Sequence, residues 1–139
     1  MNCLSLNLRG AGDSLKGDWV RKIKKEHQIN FISFQETQMV EVGSIRVENF
    51  WDNSKYEKEM VASVGRSGGL FCLWNPNVFK ETEVRTSSYF ICVSGKWNDG
   101  REKVNLVNIY APNDVDLRQC LWNQLLELMN DLEGVWLLM

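Results

Sequence analysis

The stretch that decides the fold is residues 3–37, CLSLNLRGAGDSLKGDWVRKIKKEHQINFISFQET. Apolar and polar side chains alternate over residues 3–8, which is the period of a strand. A glycine-rich segment interrupts the pattern, and Asp13 or Ser14 can cap a following helix. A second apolar run, residues 29–34, predicts another strand. Because a strand–helix–strand crossover is almost always right-handed, the two strands are expected to lie parallel in one sheet.

The predicted helix has an apolar stripe that should face the sheet. Its members are Leu15, Trp19, Val20, Ile23 and His27. A basic cluster falls largely outside the stripe and is interpreted as a solvated face; it comprises Arg21, Lys22, Lys24 and Lys25. We interpret His27 as structural, since a cation at the end of a helix is favoured by the helix dipole.

The rest of the chain is predicted to be mostly strand. The predicted strands are Arg46–Trp51, Met60–Val64, Gly69–Trp74, Val78–Thr86, Tyr89–Trp97, Lys103–Ala111 and Val135–Met139. Turn-forming residues separate them, and Asn98-Asp99-Gly100 predicts a hairpin. A second amphipathic helix should begin after Asn113 or Asp114 and end before Gly134. Its apolar stripe is Leu121, Leu125, Leu128 and Leu132.

Composition bounds the class of protein. The 139 residues are 44% hydrophobic and 24% charged, with a net charge of −2, which predicts one globular domain and argues against a polyelectrolyte binder. The four cysteines are scattered, without a Cys-x-x-Cys pair, so buried free thiols in a reducing compartment are expected rather than a zinc site. No apolar run approaches the roughly 20 residues that span a bilayer. We therefore expect an intracellular chain that is neither secreted nor membrane-bound.

Four polar residues follow predicted strands and are candidates for chemistry. Asn7 and Glu36 should share one sheet edge, where a carboxylate beside an amide could form part of a Mg²⁺ site. Each also has a structural reading, Asn7 as a turn former and Glu36 as a loop cap or a partner of a surface lysine. Tyr110 could be a core aromatic with a solvated hydroxyl. Asn113 could cap the second helix or contact a phosphate at its N-terminus.

Four motifs together resemble the endonuclease/exonuclease/phosphatase superfamily, and in particular the apurinic-type endonuclease domain of LINE-type (non-LTR) retrotransposons, notably those of plants. They are Asn7-Leu8-Arg9-Gly10, Gln35-Glu36-Thr37, Ser67-Gly68-Gly69-Leu70 with Trp74, and Tyr110-Ala111-Pro112-Asn113. The order and spacing of the motifs agree over essentially the whole chain.

The resemblance implies a fold, a cofactor and a role for each candidate. It implies an α/β fold in which a two-sheet β-sandwich is flanked by helices. Glu36 would ligate a catalytic Mg²⁺, or Mn²⁺ in its place, and Asn7 would position the metal's water shell and the active-site carboxylates. Tyr110 would stabilise charge on the phosphate, and Asn113 would contact the phosphate or the DNA backbone. DNA would be the partner, and the nucleus the place of action.

The chain also departs from the pattern of that family. Gln38 stands where relatives often have lysine or histidine, and the family's later Gly-Asp-x-Asn and Ser-Asp-His motifs are absent. Residues 1–139 are therefore expected to form a single, incomplete domain, truncated before its later strands, with little nicking activity alone. An uncovered sheet would favour self-association. A non-catalytic remnant or interaction module, and a phosphatase on the same scaffold, are the alternative functions.

Overall fold

A computed structural model describes residues 1–39, 46–65, 67–98 and 100–139. They form eight strands, two α-helices and a short 3-10 helix at Val47–Asn49. In chain order the strands and helices are β1 (Cys3–Asn7), α1 (Ser14–Glu26), β2 (Phe31–Gln35), β3 (Glu57–Val61), β4 (Leu70–Trp74), β5 (Phe79–Thr86), β6 (Phe90–Trp97), β7 (Val104–Ile109), α2 (Val115–Asp131) and β8 (Val135–Leu138).

The strands form two four-stranded sheets. The first sheet has the order β1-β2-β4-β3 and the second has the order β5-β6-β7-β8. The crossover through α1 makes β1 and β2 parallel, as the sequence predicted. The crossover through α2 likewise makes β7 and β8 parallel, and the other neighbours are antiparallel.

Apolar side chains fill three layers that hold the helices and sheets together. One layer lies between the first sheet and the segment formed by α1 and the 3-10 helix. The second lies between the two sheets, and the third lies between the second sheet and α2. The predicted α/β sandwich flanked by helices is therefore confirmed. In the described part of the chain, neither helix has an apolar stretch long enough to cross a membrane.

The packing face of α1 differs from the predicted stripe. Leu15 and Trp19 are 72% and 53% exposed, whereas Val20 and Lys24 are buried. The helix turns Gly17 toward the 3-10 helix, where a Cβ would collide with the backbone of Asn49. This close approach sets the rotation of α1. The basic cluster is consequently not all solvated.

The buried amine of Lys24 has a specific environment. Its Nζ donates to Oδ2 of Asp52 at 2.6 Å and lies 4.2 Å from the centre of the Trp51 ring. Burial tends to raise the pKa of the Asp52 carboxyl, but hydrogen bonds from Lys24 and Ser54 outweigh it and lower the pKa to about 2. This ion pair joins α1 to the loop after the 3-10 helix.

The predicted strand Arg46–Trp51 is wrong. Val47, Phe50 and Trp51 are all buried in the layer beneath α1, at the spacing of a helical turn. A strand would have pointed Phe50 and Trp51 to opposite faces. The predicted strand at residues 60–64 is also shifted, because β3 pairs with β4 from Glu57 to Val61.

The second half of the chain follows the sequence prediction closely. The antiparallel pairing of β6 with β7 confirms the hairpin, although Asp99 of its turn lies outside the described residues. Leu121, Leu125, Leu128 and Leu132 are buried, as expected. The cysteines are free thiols: two are buried, one is half-buried, and Cys120 on α2 is exposed.

Candidate active site

Asn7 and Glu36 come together because the parallel strands β1 and β2 end side by side. Asn7 is the register partner of Gln35, and the amide of Leu8 donates to the carbonyl of Gln35 at 2.9 Å. Beyond the strands, the amide of Gly10 donates to the carbonyl of Glu36 at 2.8 Å. The segments after β1 and β2 therefore run alongside each other, with Asn7 exposed and Glu36 half-buried.

The side chain of Asn7 has a structural role in this position. Its Oδ1 accepts a hydrogen bond from the backbone amide of Arg9 at 3.1 Å, which forms a turn. The turn-forming role considered for Asn7 is therefore present, and it fixes the amide group at the edge of the sheet.

Left-handed backbone conformations cluster at the same edge. The φ angles of Arg9, Glu36 and Gln38 are +48°, +52° and +56°. Such conformations are uncommon for residues with a Cβ, and they persist where the surrounding structure determines them. Here the hydrogen bonds between the two segments provide that constraint.

Tyr110 reaches this edge from the second sheet. It follows β7, and the loop before β4 packs on its ring, such that a Cβ on Gly68 would lie 3.3 Å from its Cε1. The carbonyl of Gly68 accepts from the amide of Gln38 at 3.0 Å, and the carbonyl of Gly69 accepts from the amide of Thr37 at 3.2 Å. The Gly68-Gly69 loop therefore connects the Tyr110 ring to the segment that follows Glu36.

A buried amide network joins the sheets directly beneath the site. Nε2 of Gln35 donates to Oδ1 of Asn108 at 2.6 Å. The Asn108 amide donates to the carbonyls of Phe34 and Phe71 at 3.0 and 3.2 Å. Asn108 is fully buried, so these bonds satisfy polar groups that would otherwise be unpaired. They connect the end of β2, next to Glu36, to β7, two residues before Tyr110.

Asn113 is not the cap of the second helix. Asp114 has that role, since its Oδ1 accepts from the amide of Leu117 at 2.9 Å. Asn113 is exposed one residue before the cap. It lines a cavity of about 270 Å³ that Tyr110 also lines. The structure thus brings Asn113 and Tyr110 to one surface feature.

Sequence reasoning missed Lys16. The Nζ atom of Lys16 donates to the carbonyls of Leu8 and Gly10 at 2.7 and 2.8 Å. It holds the turn after Asn7 and brings a positive charge to the edge of the site. The lysine was not recognised because only its contacts with backbone carbonyls of a distant turn reveal the role.

A larger cavity of about 480 Å³ lies beside the segment that follows Glu36. It is lined by Gly10, Ala11, Gly12, Thr37, Gln38, Met39, Arg46, Asn49 and Phe50. Gln38, the position at which the chain departs from the pattern of the family that it resembles, therefore lines a cavity beside the site.

The donor set fits a divalent metal only in part. Glu36 contributes a carboxylate, and Asn7 contributes an amide whose oxygen already accepts from Arg9. In the described ranges, no group of three or more His, Cys, Asp and Glu side chains could hold a metal ion. Mg²⁺ retains several waters and accepts one or two protein carboxylates, so Glu36 could be one ligand among waters and phosphate oxygens.

His27 lies far from these residues. Its carbonyl accepts from the Asn2 side chain at 3.0 Å, at the start of β1, whereas Asn7 is at the end of the same strand. Asn7 lies five steps along the chain from Asn2, which in a strand is roughly 16 Å. The histidine cannot act on a group bound at the Glu36 edge.

Comparison with known proteins finds similarity in structure but not in sequence. The sequence matches no protein-family model and no curated protein. Among solved structures, the endonuclease domain of TRAS1, a telomere-specific non-LTR retrotransposon, matches with a TM-score of 0.66 and 11% identity over 94% of this chain and 54% of that one.

Two further structures have the same fold. An endonuclease/exonuclease/phosphatase family protein from Leptotrichia buccalis matches with a TM-score of 0.64 and 13% identity, over 100% of this chain and 65% of that one. The AP endonuclease LMAP from Leishmania major matches with a TM-score of 0.59 and 12% identity, over 85% and 42%. This chain spans about half the length of such proteins. Its two sheets and two helices have the endonuclease/exonuclease/phosphatase fold.

Proposed function

We propose that this chain forms part of the active site of a Mg²⁺-dependent DNA-nicking endonuclease of the non-LTR retrotransposon type. The observation that supports it is the position of Asn7, Glu36 and Tyr110 at one edge of the two sheets, connected by the Gly68-Gly69 loop and by Asn108. DNA as substrate would place this activity in the nucleus.

Each residue at this edge has a chemical task in the proposal. Glu36 would be a ligand of Mg²⁺, which neutralises charge that develops on the phosphate during hydrolysis. Asn7, fixed by its turn, would orient the metal's water shell. The Tyr110 hydroxyl would donate a hydrogen bond to a phosphate oxygen, and Asn113 would contact the same phosphate or the next one along the DNA backbone.

We further propose that the chain alone has little or no nicking activity. Phosphodiester hydrolysis requires an activated water as well as a metal, and among the described residues no group of three or more His, Cys, Asp and Glu side chains could hold a metal ion. The loss of general acid–base assistance typically costs a factor of about 10²–10⁴ in rate.

Binding tests the proposal without relying on turnover. The wild-type chain should bind a short DNA duplex more tightly with Mg²⁺ than with EDTA. Glu36→Gln should lose this Mg²⁺-dependent increment in DNA affinity, because the substitution removes the metal-ligating charge and retains the size of the side chain. Glu127→Gln, on the exposed surface of α2, is the matched control and should retain it. An increment that survives in Glu36→Gln would contradict the assigned role.

Activity assays separate the proposal from its alternatives. Plasmid nicking by the wild-type chain that Glu36→Ala abolishes would show an active endonuclease and refute the proposed inactivity. Hydrolysis of small phosphomonoesters, without binding to DNA, would indicate a phosphatase instead.

A second candidate function is that of an interaction module, for which the edge of β8 is the evidence. Val135 and Leu138 on this strand are 46% and 52% exposed, and the strand contains no charged residue. We propose that β8 pairs with β8 of a second copy, since an uncharged apolar edge strand is a template for pairing.

A further inference from the structure

We propose that the cavity beside Tyr110 binds the nucleoside next to the phosphate that the site holds, with the base inserted between the loop before β4 and the start of α2. This inference rests on the proposed function and names the part of the DNA that the second cavity would accept. The residues that line the cavity are Val64, Ser67, Gly68, Gly69, Ser88, Tyr89, Tyr110, Pro112, Asn113, Asp114 and Leu117.

The size of the cavity limits what can enter it. Its volume of about 270 Å³ is just below the range of about 300–1,000 Å³ that is usual for ligand pockets. It suits one nucleoside better than a longer segment of DNA. A base could enter only from a single strand or after leaving the duplex, as in proteins that bind an extruded nucleotide.

The walls of the cavity suit an aromatic base. Tyr89 and Tyr110 are both half-buried at its wall, and the amide of Tyr110 donates to the carbonyl of Tyr89 at 2.8 Å, which keeps the two residues together. Gly68 packs against the edge of the Tyr110 ring and holds it in place. Aromatic side chains stack on any base, so such a site would have little sequence preference.

Two apolar side chains at the mouth of the cavity remain exposed. Val64 is 73% exposed, and Leu117, on the first turn of α2, is 43% exposed. Within the described residues, Leu117 is outside the apolar cluster under α2 that contains Leu121 and Leu125. The fold therefore leaves Leu117 available to contact a ligand.

Charge determines the orientation of the nucleotide. The Asp114 carboxylate lines the cavity and accepts from the amide of Leu117, so a phosphate placed inside would face a negative group. Tyr110 and Asn113 also line the cavity, and their side chains can donate hydrogen bonds. The uncharged base would consequently lie inside the cavity toward Leu117, and the phosphate would lie outside it, on the side where the Mg²⁺ proposed at Glu36 would neutralise its charge.

A comparison of two ligands tests this inference. In EDTA, to exclude metal effects, binding of deoxyadenosine 5′-monophosphate and of deoxyribose 5-phosphate, which lacks the base, is measured by NMR titration. The base should tighten binding by about tenfold, consistent with one stacked base. Leu117→Ala and Tyr89→Ala should reduce the ratio of the two affinities to about threefold or less, whereas Tyr89→Phe should preserve this ratio.

Leu126→Ala is the matched control for Leu117→Ala, since both residues lie on α2. Leu126 is 61% exposed on α2 and lies about 13 Å further along the helix from Leu117, so its loss should leave the ratio unchanged. Circular dichroism of Leu117→Ala establishes that the variant is folded. Should Tyr89→Ala fail to fold, Leu117→Ala and Tyr89→Phe suffice.

The outcomes distinguish this inference from the proposed function. Equal binding of the two ligands, or a ratio that Leu117→Ala does not change, would overturn the nucleoside site and leave the role of Glu36 intact. A ratio that depends on Leu117, together with Mg²⁺-dependent DNA binding that does not depend on Glu36, would support the cavity and overturn the proposed function.

Discussion

At the scale of single residues, Gly68 connects the two halves of the site. Its φ of +77° and its contact with the Tyr110 ring are both required for the loop to lie between the sheets. Its carbonyl also accepts from the Gln38 amide, close to Glu36. The position of Tyr110 relative to Glu36 thus depends on a residue that has no side chain.

Gly68→Ala should destabilise the protein more than Gly65→Ala. Both glycines have positive φ angles, so each substitution should cost about 1–2 kcal/mol from the left-handed backbone alone. At Gly65 a Cβ would meet nothing within 4 Å, whereas at Gly68 it would press on the Tyr110 ring. Urea unfolding measures both variants. Equal losses of unfolding free energy would show that the ring contact is unimportant.

At the scale of secondary-structure elements, the Lys24–Asp52 ion pair holds α1 against the loop after the 3-10 helix. The pKa of Asp52 is lowered from 3.8 to about 2, with the Lys24 and Ser54 hydrogen bonds outweighing burial. A depressed pKa means that the folded state favours the ionised carboxyl. The resulting stabilisation is present above pH 3.8 and is lost as the pH falls toward 2.

Asp52→Asn should therefore lower the unfolding free energy at pH 6 and have less effect at pH 3. The Asp52 side chain is 46% exposed, so solvent screening limits the expected loss at pH 6 to about 1 kcal/mol. Urea unfolding at both pH values measures it. Asp116→Asn, on the exposed first turn of α2, is the control. An Asp52→Asn effect that grows toward pH 3 would contradict the assignment.

The comparison of α1 with α2 shows what the sequence can predict about helices. The stripe of α2 was predicted correctly because leucines alone repeat at helical spacing and face one apolar layer. The stripe of α1 was confirmed at Val20 but wrong at Leu15 and Trp19, because Gly17 and Lys24 meet the neighbouring elements instead. Glycine contacts and buried ion pairs depend on tertiary partners, which hydrophobic periodicity does not include.

The site also has some features that the sequence predicted and others that it could not predict. That Asn7 and Glu36 share an edge followed from the parallel crossover alone, and the fold confirms the crossover. The contacts made by Lys16, Gly68 and Asn108 join segments that are distant in sequence, so local patterns could not reveal them. The catalytic roles of Asn7, Glu36, Tyr110 and Asn113 stay predictions, of which the Glu36 variants above would test one.

At the scale of the whole molecule, the sheet edges differ in their protection against pairing. The outer strand β5 has a bulge between Glu81 and Glu83 and alternates charged side chains, and β3 begins with Glu57-Lys58-Glu59. β1 has polar side chains at Ser5 and Asn7. Of the edges described, β8 alone is free of polar side chains.

Leu138→Lys should prevent the self-association that we propose for β8. Charged side chains, lysine in particular, block pairing at an edge strand. Light scattering after size exclusion should show a wild-type mass that rises with concentration and a Leu138→Lys mass that stays monomeric. Leu15→Lys, at a leucine that is 72% exposed on α1, should behave as the wild type. A wild-type chain that is monomeric at every concentration would refute the pairing.

The distribution of the thiols has a practical consequence for spectroscopy. Burial raises the pKa of Cys72 to about 12, that of Cys3 to about 11, and that of Cys92 as well, so these sulfurs will resist alkylation. Cys120 is exposed on α2, one turn from Leu117. A maleimide fluorophore would therefore attach at a single natural position, and its emission could report what happens at the start of the helix without any engineered cysteine.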